Sequence, residues 1–161
     1  MRAFLALTLT ATVLVVAGCG GASGDSASIA SAPLGESSTQ ASLITRADVI
    51  CKRLNVKIAS AKPKNQGIRE IARLSPIHAR LEQAALAELD KLTPPSAIAT
   101  SWRRIIAYRR ALAEELVKLG RYAQANNVSA VRALAASKRR THKRLLTLAL
   151  RTGFKACSLV G

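Results

Sequence analysis

Four stretches of this chain repeat apolar residues at intervals of three and four, and this period constrains the fold more than any other feature. Residues spaced in this way lie on one face of an α-helix. Ala and Leu dominate the apolar set and β-branched residues are fewer, which also favours packed helices over a sheet. We therefore predict an all-α protein. The pattern is clearest in the third stretch, at Ile98, Trp102, Ile105, Leu112, Leu116 and Leu119.

Turn-forming residues set the predicted ends of the first two helices. The first helix is predicted to start at the capping-box-like sequence TRAD, residues 45–48, and to run to about Ala61, where KPKNQG follows. The second begins near Ile68 and contains Pro76, which predicts either a kink or a restart capped by Ser75. The sequence TPPS then ends it.

Capping and turn residues also set the predicted ends of the last two helices. Ser96 is predicted to cap the third helix, and the sequence NNVSAV, residues 126–131, provides the turn into a fourth helix that starts near Val131. Gly153 is predicted to stop the fourth helix. Four amphipathic helices joined by short loops predict an up-down-up-down four-helix bundle.

The N-terminus reads as a targeting segment. Arg2 precedes an apolar run, residues 3–16, that is too short for a comfortable bilayer span. The run ends in the sequence VAGC, an aliphatic residue and two small ones before Cys19, which resembles the lipobox of bacterial lipoproteins. That resemblance implies cleavage before Cys19, acylation of its thiol, and a lipid-anchored protein at the extracytoplasmic face of the cell membrane. The alternative is an ordinary signal peptide with an incidental cysteine.

This processing divides the chain into three parts. Residues 1–18 are the lipoprotein signal peptide, residues 19–42 are the lipidated cysteine with a flexible linker rich in Ser, Ala and Gly, and residues 43–161 are the helical bundle domain. The linker has few large apolar residues and no period, as expected for a tether. A chain of 161 residues has room for one domain.

Cys51 and Cys157 remain once Cys19 carries lipid. Export places them in a compartment where disulfides persist, so we predict a bond that joins the first helix to the tail after the fourth. Catalytic thiol chemistry is the rival interpretation. It would usually bring a C-x-x-C pair or a nearby base, and neither is present.

Three short motifs extend the likeness into the mature part of the chain. They are DxICxxxN from Asp48, LxxLxPP from Leu89, and a lone cysteine near the end. In this layout the chain resembles small helical lipoproteins of actinobacteria that have no assigned function. The resemblance implies a helical fold and an envelope location, and it transfers no active site.

Basic residues outnumber acidic ones by 25 to 9, which gives a net charge of +16. One interpretation of the cations on the fourth helix is a solvated surface. The other is attraction to anionic phospholipid, an anionic wall polymer or an acidic protein. No motif or aromatic platform predicts specific binding of nucleic acid. Six cations lie opposite the leucines of the fourth helix and are called the basic face: Arg132, Arg139, Arg140, Lys143, Arg144 and Arg151.

Four polar residues interrupt the predicted apolar faces, and Lys138 accompanies them on the fourth helix. Counting along antiparallel helices puts three of the four near one height, so we call the set the polar layer. In one interpretation these side chains extend to the edge of the bundle or pair with each other, with Glu82 bound to His78 or Arg109. In a second, they bind a small anion or carboxylate. A metal site is a third interpretation, which the nearby Arg and Lys oppose. The polar layer comprises His78, Glu82, Arg109 and His142.

No catalytic motif occurs: there is no Ser-His-Asp order, nucleophile elbow, phosphate-binding glycine loop or HExxH. We predict no enzyme, no cofactor and no metal. The predicted function is that of a lipid-anchored binding or interaction module of the cell envelope, which contacts an anionic surface or partner through the basic face. The alternatives are a small-anion binder that uses the polar layer and a purely structural envelope lipoprotein.

Overall fold

The computed structural model describes residues 39–61, 63 and 67–159. The predicted signal peptide, Cys19 and the predicted linker as far as residue 38 lie outside these described residues. The prediction of an all-α, up-down-up-down four-helix bundle is confirmed. The elements are α1 (Gln40–Ser60), α2 (Ile68–Leu89), a 3₁₀ turn (Ser96–Ile98), α3 (Ala99–Gln124), α4 (Val128–Thr152) and a second 3₁₀ turn (Ala156–Ser158).

The first helix begins earlier than its capping-box-like sequence predicts. Thr39 is the N-cap, and its hydroxyl accepts a hydrogen bond from the Ser42 backbone N–H at 3.2 Å. Thr45 therefore lies inside the helix, where its hydroxyl donates to the Ala41 carbonyl. The predicted start at residue 45 is wrong because buried Leu43 already packs in the core and extends the helix backwards.

The second helix continues through Pro76 without a restart, so Ser75 does not cap a new helix. Pro76 lies against Gly120 of α3. A Cβ atom at Gly120 would be 3.2 Å from the Pro76 Cδ atom, which is closer than ordinary van der Waals contact. Glycine at this position therefore allows α2 and α3 to pack closely around the proline.

The predicted starts of the last two helices are also corrected. Ser96 begins a 3₁₀ turn and does not cap α3, which starts three residues later. Asn127 caps α4, since its side chain accepts a hydrogen bond from the Ala130 N–H at 3.1 Å. The predicted end at Gly153 is confirmed by its left-handed φ of 97°, a conformation that favours glycine.

Among the described residues, the core consists of two apolar clusters at different heights along the bundle. The larger one combines α1 with the end of α2, the first half of α3 and the end of α4. The smaller one, around Leu119, Ala123 and Val131, involves α2, α3 and α4 only. Along α2 and α4, the positions of the polar layer fall between the two clusters.

The Cys51–Cys157 disulfide is confirmed, with a Cα–Cα distance of 5.0 Å across a sequence separation of 106 residues. In the chain-entropy model, closing a loop of this length contributes about 4.7 kcal/mol of stability. The bond fixes the tail, residues 153–159, against α1. Phe154 of this tail is buried and its ring lies 5.4 Å from that of Trp102, so the tail is part of the core.

Asp48 of α1 holds the same tail without a covalent bond. Its carboxylate accepts hydrogen bonds from the backbone N–H groups of Lys155, Ala156 and Cys157, at 2.9 to 3.1 Å. Asn55 donates to the Ala156 carbonyl at 3.0 Å. Asp48 was expected to complete the cap of the first helix, and it instead caps the 3₁₀ turn at the other end of the chain.

Candidate anion-binding surface

A surface groove of about 450 Å³ runs between the first half of α3 and the last half of α4. We call it the basic groove. Because the two helices are antiparallel, the start of α3 and the end of α4 lie side by side. Two lining residues come from α3 and six from α4: Arg104 and Tyr108, and Arg140, Lys143, Arg144, Thr147, Leu148 and Arg151.

The floor of the basic groove is apolar and its rim is cationic. Tyr108 and Leu148 are half-buried and pack against the larger core cluster. The five cations that line the groove are exposed. Arg140, Arg144 and Arg151 follow one another at spacings of four and seven, so they form a row along one side of α4. Arg104 adds a cation from α3 to the same lining.

The cations of the basic groove have no carboxylate partner within the described part of the chain. Some exposed arginines elsewhere do pair, as Arg53 does with Glu88 and Arg110 with Asp90. The cause is visible in the sequence, because no acidic residue follows Glu115 and α4 therefore contains none. The groove combines concentrated positive charge with an absence of internal counter-charge.

The predicted basic face is exposed at all six positions, and four of them line the groove. Arg132 and Arg139 are not among the lining residues. Sequence reasoning missed Arg104 and Tyr108, which contribute the opposite wall. Their spacing of four places them on one side of α3, but a single-helix period does not say that this side borders α4.

The polar layer contains a buried ion pair. Arg109 Nη1 lies 2.9 Å from Glu82 Oε2, and both side chains are essentially inaccessible to solvent. Arg109 Nη2 also donates to the carbonyls of Cys157 and Leu159, at 3.0 and 3.4 Å. Burial raises the pKa of the Glu82 carboxyl, and the charge and hydrogen bond of Arg109 act against this shift. Arg109 thus connects α2, α3 and the tail.

Lys138 of α4 adds a second cation to this interior. Burial lowers the pKa of Lys138, while the nearby carboxylates of Glu82 and Glu115 raise it. Glu115 accepts hydrogen bonds from the Ser137 and Thr141 hydroxyls, at 2.8 and 3.3 Å. Lys138 and Glu115 therefore add one cation and one carboxylate to the Arg109–Glu82 pair, and the formal charges of the four groups balance.

The two histidines of the polar layer are half-buried. Burial lowers the pKa of His78, the charge of Lys138 lowers it further, and a hydrogen bond to the Ala61 backbone acts in the opposite direction. Among the described residues, no hydrogen bond or ion pair joins His142 to His78, Glu82 or Arg109. The same residues contain no group of three or more His, Cys, Asp or Glu side chains arranged to hold a metal ion.

Comparisons with protein-family models, with curated proteins and with solved structures found no match to this chain. Within the described ranges, no helix has both the length and the apolar character needed to cross a membrane.

Proposed function

We propose that this protein is a lipid-anchored interaction module of the bacterial cell envelope, whose basic face and basic groove contact the anionic surface of the membrane. The lipobox-like sequence before Cys19 supports the anchor. The unpaired cations around the groove support the contact, and they are the single observation on which the proposal depends.

Electrostatics favour a membrane partner for a protein anchored in this way. Each Lys or Arg near an anionic bilayer contributes about 1 kcal/mol of binding free energy, and the attraction falls off within a Debye length of about 10 Å. An N-terminal lipid keeps the domain within reach of the bilayer on a linker of about twenty residues. One lipid signal together with a polybasic surface is a combination that gives stable attachment.

The polar layer is a weaker candidate for ligand binding. Both terminal nitrogens of Arg109 already donate within the protein, to Glu82 and to carbonyls of the tail. An anion at this position would have to displace a buried carboxylate. The balanced charges of the polar layer and its hydrogen bonds to the tail support a structural role, which was one of the three interpretations of the sequence.

The anchor is tested by Cys19→Ser in the native bacterium. We expect the variant to be released from the membrane fraction or to stay unprocessed, because the lipid would have no thiol to attach to. A variant that is processed normally and stays in the membrane fraction would contradict the lipoprotein assignment.

The contact surface is tested with the full chain carrying Cys19→Ser and vesicles of phosphatidylglycerol mixed with phosphatidylcholine. Neutralising two groove cations, Arg140→Gln with Arg144→Gln, should lower the partition constant about thirtyfold at low salt, since each contributes about 1 kcal/mol. Neutralising two exposed cations of α1, Arg46→Gln with Lys57→Gln, is the matched control.

The preference for anionic over neutral vesicles is the quantity compared, because any contribution of the apolar N-terminus is common to both. We expect this preference to disappear near 1 M salt, where the Debye length is about 3 Å. Equal losses for the α1 and α4 variants would show that only the total charge matters and would contradict the assigned surface.

A further inference from the structure

We propose that the basic groove binds a single anionic phospholipid molecule, with the phosphodiester on the arginines and the glycerol backbone against Tyr108 and Leu148. The inference rests on the proposed function, because the membrane contact is what brings a lipid to the groove. It adds a defined ligand and a defined position to a contact that could otherwise be diffuse.

The apolar floor distinguishes the groove from a simple patch of charge. Tyr108 and Leu148 are anchored in the larger core cluster, so they hold a fixed apolar surface beneath the cations. The volume of the groove, about 450 Å³, falls within the range of about 300–1,000 Å³ that is typical of small-molecule sites. An apolar floor under a cationic rim is complementary to an amphiphilic anion.

The donors on the rim suit a phosphodiester. Guanidinium groups bind phosphate oxygens through two parallel hydrogen bonds, and the groove presents them from both helices. Arg104 on α3 and Arg144 on α4 both line the groove, so guanidinium donors for one phosphate come from two helices.

The lining also selects among headgroups. It contains no carboxylate, so the ammonium group of an ethanolamine headgroup would find no counter-charge there. The Thr147 hydroxyl donates to the Lys143 carbonyl at 3.0 Å, which leaves its oxygen lone pairs able to accept from a headgroup hydroxyl. Both features favour a phosphatidylglycerol-type headgroup over a zwitterionic one.

The test is a calorimetric titration of the full chain carrying Cys19→Ser with monomeric dihexanoyl-phosphatidylglycerol, which measures the Kd. We expect Arg104→Gln to weaken binding at least about tenfold, since hydrogen bonds to charged groups are lost. Arg103→Gln is the matched control, because Arg103 is exposed, adjacent and outside the groove lining. It should change the Kd less than about twofold.

The headgroup and the floor are tested separately. Dihexanoyl-phosphatidylethanolamine and inorganic phosphate should each bind at least about tenfold more weakly than the phosphatidylglycerol analogue, because one brings an unpaired ammonium and the other has no apolar part. Equal losses for Arg104→Gln and Arg103→Gln would overturn the site. Inorganic phosphate binding as tightly as the lipid would overturn the role of the floor.

The outcomes separate this inference from the proposed function. If the short-chain lipid does not bind while anionic vesicles still bind through the cations of α4, the single-lipid site is refuted and the surface contact stands. If neither the short-chain lipid nor the vesicles bind, both are refuted.

Discussion

The interior polar layer carries an ion pair between α2 and α3, whereas the basic groove between α3 and α4 carries cations without carboxylate partners in the described residues. Arg109 is buried against Glu82 and the tail carbonyls, so its charge is balanced inside the protein. Arg104 and Arg144 lie on the surface without a carboxylate partner in the described residues. The charge that is paired inside the protein stabilises the fold, whereas the unpaired charge on the surface can bind a partner.

The largest expected effect on stability comes from breaking the interior pair. Arg109→Leu leaves Glu82 buried without its partner and removes the two hydrogen bonds that Nη2 donates to the tail, so we expect a loss of about 3–5 kcal/mol in the free energy of unfolding. Chemical denaturation measures this loss. The double variant Arg109→Leu with Glu82→Leu should recover much of it, because no buried charge remains unpaired. A double variant that is as unstable as the single one would contradict this explanation.

A smaller effect is expected from the pH dependence of His78. Its pKa is lowered from 6.5 in the folded protein, so the unfolded chain binds the proton first as the pH falls. The stability associated with neutral His78 is therefore present above pH 6.5 and is lost as the pH falls through the lowered pKa. One such group gives a slope of at most about 1.4 kcal/mol per pH unit.

The comparison for this prediction is His78→Gln. As the pH falls below 6.5, the free energy of unfolding should decrease less for the variant than for the wild-type protein. Denaturation at several pH values measures this difference. If the two stability curves stay parallel over this range, His78 does not contribute the expected proton linkage.

The smallest effect is expected at the groove, where stability should hardly change. Arg140→Gln with Arg144→Gln removes exposed cations that make no ion pair, so the free energy of unfolding should change by less than about 0.5 kcal/mol per site. Denaturation under the same conditions as for Arg109→Leu gives a direct comparison. A loss of several kcal/mol would show that these residues also hold the fold together.

Much of the fold was accessible from the sequence because the apolar period is long and regular. The four helices, the stop at Gly153 and the Cys51–Cys157 bond followed from local signals and from the count of cysteines. Helix starts were less accessible, since Asp48 resembles a capping residue but serves a segment more than a hundred residues away. A long-range use of a local signal cannot be recognised from spacing alone.

The candidate site was also only partly predictable from the sequence. The cations of α4 could be found because they share one side of a single helix. Arg104 and Tyr108 could not, because the rotation of α3 relative to α4 depends on packing in the core. Pairing of Glu82 with Arg109 was one of several alternatives left open by the sequence, and the distance of 2.9 Å now identifies the partner.

The most direct test of the account compares paired and unpaired surface arginines in one vesicle-binding measurement. The full chain with Cys19→Ser carries either Arg140→Gln with Arg144→Gln, or Arg53→Gln with Arg110→Gln, whose arginines bind Glu88 and Asp90. Both double variants remove two exposed positive charges. We expect about a thirtyfold loss of partition into phosphatidylglycerol vesicles for the first variant and less than about a twofold loss for the second. Equal losses, or a larger loss for the paired arginines, would contradict it.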